Sequence, residues 1–215
     1  MSDPCLRLVG LEIDRKTDVV SLVAFLLSIM SLITHGWLFL AGPQVALQAP
    51  EQMVFYNYTD ADQKQYLAIA ARMAYVNTAQ AGYNDAVKSE SATVIVGERR
   101  LRFLWSKYTA SDADGHLFKL NPKGDALPVP INAGGVEAHE TSFSPLPNPA
   151  NTAMVGVNYL EFSDFKKLIE TVDEIVVILR YETFGGTIGE ARCRSIVDSS
   201  MRRWLVHGWV APLCV

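Results

Sequence analysis

The feature that most constrains this chain is a long stretch without a charged side chain, from Val19 to Pro50. Its first part, 19–41, reads VVSLVAFLLSIMSLITHGWLFLA and lacks the polar face of a helix at the surface of a soluble core. At about 1.5 Å per residue, a helix of this length spans about 34 Å, enough for a hydrocarbon core of about 30 Å. Gly42 and Pro43 then favour a helix end. We therefore expect a single N-terminal transmembrane α-helix over residues 19–41.

A cleaved signal peptide is the main alternative for this segment. Signal peptides usually have an apolar region of about 7–15 residues behind a short basic start. Here the apolar run is longer, and the residues before it include Asp3, Glu12, Asp14 and Asp18. These two differences favour an uncleaved signal-anchor.

The distribution of basic residues predicts the orientation of the helix. Arg7, Arg15 and Lys16 precede it, whereas the first basic residue after it is Lys64. Because basic residues near a span favour the cytoplasmic side, we expect a single-pass protein of the cell (inner or plasma) membrane with a cytoplasmic N-terminus. The predicted divisions are a cytoplasmic tail at 1–18, the span at 19–41, a tether at 42–51 and a periplasmic or extracellular β-rich domain at 52–215.

One side of the predicted helix carries small and polar residues. At about 100° per residue they fall within an arc of about 80°. We call this arc the helix seam; its residues are Ser21, Ala24, Ser28, Ser31 and His35. Small residues allow helices to approach closely in lipid, so the seam predicts packing against a partner protein or a second copy. The alternative is that a single span simply tolerates serines and that His35 reaches the outer interface.

The remainder of the chain indicates a mainly-β domain with one or two short helices. Turn signals separate short runs of β-branched and aromatic residues, and a two-glycine turn joins the last two runs. The predicted strands are 53–58, 92–96, 101–108, 116–120, 136–143, 174–184 and 187–197; 66–76 fits strand or helix, with strand favoured, and 163–172 fits a helix. This layout predicts a β-sandwich and resembles that of immunoglobulin-like ectodomains, although the Cys–Trp–Cys spacing of true immunoglobulin domains is absent.

The three cysteines divide between the two sides of the predicted membrane. Cys5 falls on the reducing side, so we expect a thiol. Cys193 and Cys214 fall on the oxidising side, where we expect them to form a disulfide. The bond would hold the C-terminal segment against the domain, including Trp204, Leu205, Val206 and Trp209.

The sequence gives little indication of catalysis. It contains no P-loop, GxGxxG, HExxH, GxSxG or CxxC motif, so whether the domain is an enzyme stays open, with the balance against it. No cofactor is indicated. Glu137 and His139, with His116 as a distant third ligand, are weak candidates for a metal site; a solvated edge strand explains them equally well. The net charge of −4, without blocks of like charge, argues against nucleic-acid binding.

Seven arginines could form a basic surface if their strands pair. They are Arg99, Arg100, Arg102, Arg192, Arg194, Arg202 and Arg203. Such a surface would suit an acidic partner or lipid headgroups. The simpler alternative is an ordinary solvated sheet face.

These observations favour a membrane-anchored binding or assembly module. Its partners would be membrane lipid and, through the helix, another protein or a second copy. Two alternatives stay open: a small enzyme or metal site around Glu137 and His139, and a membrane effector that oligomerises through the helix seam.

Overall fold

The computed structural model describes residues 6–8, 11–13, 19–42, 44–59, 63–79, 82–114, 117–145 and 160–215. Within these ranges, only the backbone is described for 6–8, 11–13, 19–20, 38–41, 112–114 and 117–118. Cys5 and His116 lie outside the described residues. The chain forms two compact units, one through residue 42 and one from residue 43 onward.

The first unit consists of a short hairpin and a helix. Strands β1 (Leu6–Leu8) and β2 (Leu11–Ile13) pair antiparallel, and helix α1 covers Val19–Ala41. Gly42, with a φ of +65°, follows the helix in the left-handed conformation that glycine adopts readily. The predicted helix bounds are therefore confirmed. Searched over the described residues alone, no helix is long and apolar enough to cross a membrane.

The second unit is mainly β, as predicted. Its first strands are β3 (Val45–Gln48), β4 (Met53–Thr59), β5 (Gln65–Asn77), β6 (Asp85–Val96), β7 (Arg99–Asp114) and β8 (Leu117–Asp125). Next come β9 (Val129–Ile131), β10 (Val136–Ser144), helix α2 (Phe162–Glu170), and the hairpin of β11 (Glu174–Thr183) and β12 (Ile188–Ile196). The chain ends with helix α3 (Ser199–Trp204), a 3₁₀ turn (Leu205–His207) and strand β13 (Trp209–Val210).

All eleven strands of this unit belong to one antiparallel sheet. Its main order is β12-β11-β6-β7-β10-β5-β4-β13, with β3, β8 and β9 pairing to β5, β7 and β6. The sequence predicted a sandwich of two sheets with an immunoglobulin-like layout, and the strand order corrects this. Because β7 pairs with β6 on one side and with β10 on the other, the two halves of the sheet are joined by hydrogen bonds.

The segment predicted as a tether, 42–51, contains a strand. β3 pairs with the C-terminal half of β5, from Val45 opposite Asn77 to Gln48 opposite Ala74. Val45 is buried in the core, and Leu47 is partly buried against it. Because Val45 and Leu47 face the core, this stretch joins the domain instead of hanging free.

Strand alternation builds the core, and two short helices cover part of it. Phe162, Phe165 and Ile169 are the buried face of α2, and the ring centroids of Phe165 and Phe55 are 5.5 Å apart. Asp198 caps α3 by accepting a hydrogen bond from the Met201 backbone N–H at 2.7 Å. The short helix predicted at 163–172 is confirmed as α2. The region 66–76, which fitted strand or helix, lies in strand β5.

The C-terminal tail joins two distant parts of the sheet. Cys214 N–H donates to the Glu51 carbonyl, and Val215 N–H donates to the Arg194 carbonyl, both at 2.9 Å. The predicted disulfide between Cys193 and Cys214 is present, with Cα atoms 4.8 Å apart. Of the side chains expected to be held down, Leu205 is buried and Trp204 packs against the core, whereas Val206 is 75% exposed.

We predict that replacing both disulfide cysteines by alanine lowers the free energy of unfolding by about 3 kcal/mol. The bond joins residues separated by 21 positions, and closing a loop of that length restricts the unfolded chain by about this amount. Urea unfolding of the full chain measures the change. Reduced wild type is the control and should match the variant; an unchanged midpoint in both would contradict a stabilising role.

Candidate functional site

Two residues of the helix seam, Ser28 and His35, form hydrogen bonds within the helix. The Ser28 hydroxyl donates to the Ala24 carbonyl at 2.9 Å. His35 Nδ1 lies 2.7 Å from the Ser31 carbonyl oxygen, so Nδ1 carries the proton and donates. In neutral His35 the other ring nitrogen, Nε2, is then an acceptor, and it has no partner among the described residues.

Three seam residues line one shallow groove along the helix. Ser28, Ser31 and His35 border it together with Leu27 and Leu32, and its volume is about 540 Å³. The described residues of α1 are exposed throughout, including the large apolar side chains Leu22, Val23, Phe25, Leu26, Leu27, Ile29, Met30, Leu32, Ile33 and Trp37. So many exposed large apolar side chains on one helix are unusual for an isolated soluble domain.

A second candidate site is a polar cluster inside the β-rich unit. Glu90 on β6 is only 2% exposed, and its Oε1 accepts a hydrogen bond from the Tyr75 hydroxyl at 2.8 Å. His139 Nε2 on β10 lies 2.7 Å from the same oxygen. Four neighbouring strands contribute to the cluster, since Tyr108 of β7 packs its ring 4.8 Å from that of His139. A buried carboxylate with two donors is a large local charge in an otherwise apolar core.

The cluster keeps its tyrosines protonated. Burial, followed by the charge of Glu90, raises the pKa of Tyr75 far above its ordinary value. The same two causes raise the pKa of Tyr108 to about 12. Two buried atoms, Glu90 Oε2 and His139 Nδ1, have no hydrogen-bond partner among the described residues. Glu90 and His139 therefore each have one hydrogen-bonding atom left without a partner among the described residues.

The sequence singled out His139 as a weak metal-ligand candidate beside Glu137, and in the structure His139 contacts a different carboxylate. Glu137 is exposed near the start of β10, while the carboxylate that contacts His139 is Glu90. The missed signal was strand alternation: counting back in twos from the buried Val96, Val94 and Ala92 places Glu90 on the core side. No group of three or more potential metal ligands is found among the described residues, and His116 lies outside them.

A third candidate is an open cleft of about 680 Å³ on the outer side of the sheet. Strands β4, β7, β8 and β10 line it together with the turn at 207–209. The hydroxyl oxygens of Tyr56 and Ser142 are 2.6 Å apart at its wall, and burial raises the pKa of Tyr56 to about 12. Asn57 Oδ1 is buried there without a hydrogen-bond partner among the described residues. Small side chains at Ser142 and Ser144 leave the room for the cleft.

The predicted arginine surface is only partly assembled. Arg202 does not join it, because its guanidinium donates to the Ile169 and Val172 carbonyls at 3.3 and 3.2 Å, at the C-terminal end of α2. This contact is the expected role of a cation beside a helix C-terminus. The strand arginines Arg100, Arg102, Arg192 and Arg194 do lie on one sheet face.

Comparisons of the sequence with protein-family models and with curated proteins found no match.

We predict that replacing His139 by alanine destabilises the domain by about 2–4 kcal/mol. The substitution leaves the buried Glu90 carboxylate with Tyr75 as its remaining donor, and removing a hydrogen-bond partner from a buried polar group is costly. Urea unfolding of the full chain measures the loss. Replacing the exposed Glu137 by alanine is the matched control and should cost less than about 0.5 kcal/mol. Equal effects at the two positions would contradict the assignment.

We predict that the domain loses stability as the pH rises from about 10 to 12. Tyr56 ionises near pH 10 in the unfolded chain but near 12 in the folded one, so the folded state binds more protons in this window. Stability from this group is complete below pH 10 and falls above it. Thermal unfolding across this range should show a shallower decline in the Tyr56→Phe variant. An identical decline in the two proteins would exclude a contribution from Tyr56.

Proposed function

We propose that this chain is a membrane-anchored assembly module. In this proposal, α1 crosses the cell membrane, residues before it are cytoplasmic, and the β-rich unit stands in the periplasm or outside the cell. The observation that carries the proposal is the 23-residue helix, Val19–Ala41, which contains no charged residue and is preceded but not closely followed by basic residues. Lipid would cover apolar side chains that water would otherwise contact.

The disulfide supports the orientation. Disulfides persist in oxidising compartments, and the bond between Cys193 and Cys214 lies in the unit assigned to that side. The predicted free cysteine, Cys5, lies in the tail assigned to the cytoplasm. One orientation of the chain thus accounts for both the basic residues and the cysteines.

The helix seam supports an assembly role over a purely anchoring one. Ala24 is small and the Ser28 hydroxyl already donates within the helix, so a neighbouring helix could approach this side closely. His35 Nε2 is the seam atom best placed to bond across such an interface, because Nδ1 already bonds within α1. The partner would be a second copy or another membrane protein.

We predict that replacing Ser28 or Ser31 by leucine weakens helix association by about 0.5–2 kcal/mol, because the larger side chain separates the two backbones. A membrane two-hybrid assay of the full chain measures association. The matched control is Thr34→Leu, an equal polar-to-leucine change outside the seam arc, which should leave association nearly unchanged. If all three variants behave alike, the seam plays no part in assembly.

The same fusions test the orientation. A reporter that fluoresces only in the cytoplasm should be bright at the N-terminus and dark at the C-terminus. A bright C-terminal fusion would overturn the assignment of the β-rich unit to the outer side, whatever the result for the seam.

A further inference from the structure

Four neighbouring strands bring arginines into two parallel columns. The strand register aligns Arg100, Ile95, Val176 and Arg194 in one row across the sheet, and Arg102, Thr93, Ile178 and Arg192 in the next. The arginines on β7 form one column and those on β12 form the other. We call these eight residues the arginine-flanked face.

This face is the outer side of the sheet. The residues that alternate with it, such as Val94, Val177 and Cys193, are buried in the core. All four arginines are exposed, whereas the residues between the columns are only partly exposed: Thr93, Ile95, Val176 and Ile178. The result is a mostly apolar floor with a cationic border on each side.

The face carries positive charge on an acidic protein. Around this face, the same side of β6 and β11 adds Lys88 and Arg180 to the four arginines, and the acidic side chains beside them are Glu174, Glu182 and Glu190. Glu174 and Glu190 pair with Arg194 and Arg192. The whole chain, by contrast, has a net charge of −4. An acidic partner therefore meets a locally favourable surface.

The spacing of the columns matches an α-helix. Three strand spacings of about 4.8 Å separate β7 from β12, so the columns lie about 14 Å apart. An α-helix with its side chains is about 10–12 Å wide. Along each strand, arginines two residues apart are separated by about 6.7 Å, close to the rise of about 6 Å between helix residues i and i+4.

We propose that the arginine-flanked face binds an amphipathic α-helix of a partner protein, with an apolar stripe on Ile95, Val176 and Ile178. Acidic residues spaced i, i+4 along both borders of the stripe would pair with the two arginine columns. The helix axis would run along the strands. The two-column arrangement with a recessed apolar floor fits a single rod better than a flat lipid surface, which requires no such spacing. This inference rests on the proposed role as an assembly module and names the class of partner.

The test uses the full chain in neutral detergent micelles. The probe is a synthetic helix with leucines along one face and glutamates at i, i+4 along both borders, and a peptide with glutamine in place of glutamate is its control. Fluorescence anisotropy, with protein-free micelles subtracted, should show saturable binding of the glutamate peptide only. In the R102E/R192E variant the affinity should fall by about tenfold or more, equivalent to about 1.4 kcal/mol.

The matched control is R203E/K123E, which reverses two exposed charges outside the face and should change affinity less than twofold. Thermal unfolding checks that each variant is folded. If R102E/R192E does not fold, R102Q/R192Q, which removes the two charges without reversing them, replaces it in the binding assay. Equal binding of both peptides, or unchanged affinity in the folded variants, overturns the proposal. The proposal is also overturned if the protein binds phosphatidylserine vesicles but not the glutamate peptide, and if the same variants lose the vesicle binding. That result would assign the face to a lipid surface. Neither result depends on whether α1 spans a membrane, which the reporter fusions decide separately.

Discussion

The tail from Ala211 to Val215 links strands that are far apart in the sheet order. It contacts the start of β4 through the Gln52–Leu213 bridge and the Cys214–Glu51 hydrogen bond. It contacts β12 through the disulfide and the Val215–Arg194 hydrogen bond. Because β4 and β12 are near opposite ends of the strand path, the tail connects the two ends through one covalent bond and several hydrogen bonds. The same bond attaches the tail to the hairpin of β11 and β12, which carries one arginine column.

The hydrogen-bonded cluster around Glu90 connects strands in the middle of the same sheet. Its hydrogen bonds connect β6 to β5 through Tyr75 and to β10 through His139, across strands that do not all pair directly. A slip of one residue in any of these strands would turn its member of the cluster toward solvent. It would also leave the Glu90 carboxylate with fewer donors, which is costly in an apolar core. The buried Glu90 side chain therefore fixes the register of these strands more strictly than apolar packing alone would.

Local patterns predicted much of this fold, while pairing between distant residues was harder to predict. The bounds of α1, the last hairpin and the disulfide follow from residues close in sequence or from elimination among three cysteines. The single sheet, the strand at 45–48 and the Glu90–His139 contact depend on which strands pair, and neither propensity nor alternation specifies that. Arg202 illustrates the limit, because its neighbours in sequence gave no sign that it would contact carbonyls at the end of α2.

The hydrogen bonds within α1 restrict how this helix could recognise a partner. Ser28 and Thr34 donate to carbonyls four residues earlier, and His35 uses Nδ1 in the same way. These side-chain donors are therefore already hydrogen-bonded within α1, so they offer a neighbouring helix little further hydrogen bonding. Association through the seam would then depend on close packing of small side chains, with His35 Nε2 as its main polar contact. Such an interface tolerates loss of a hydroxyl better than gain of bulk, so replacing serine with alanine should be milder than replacing it with leucine.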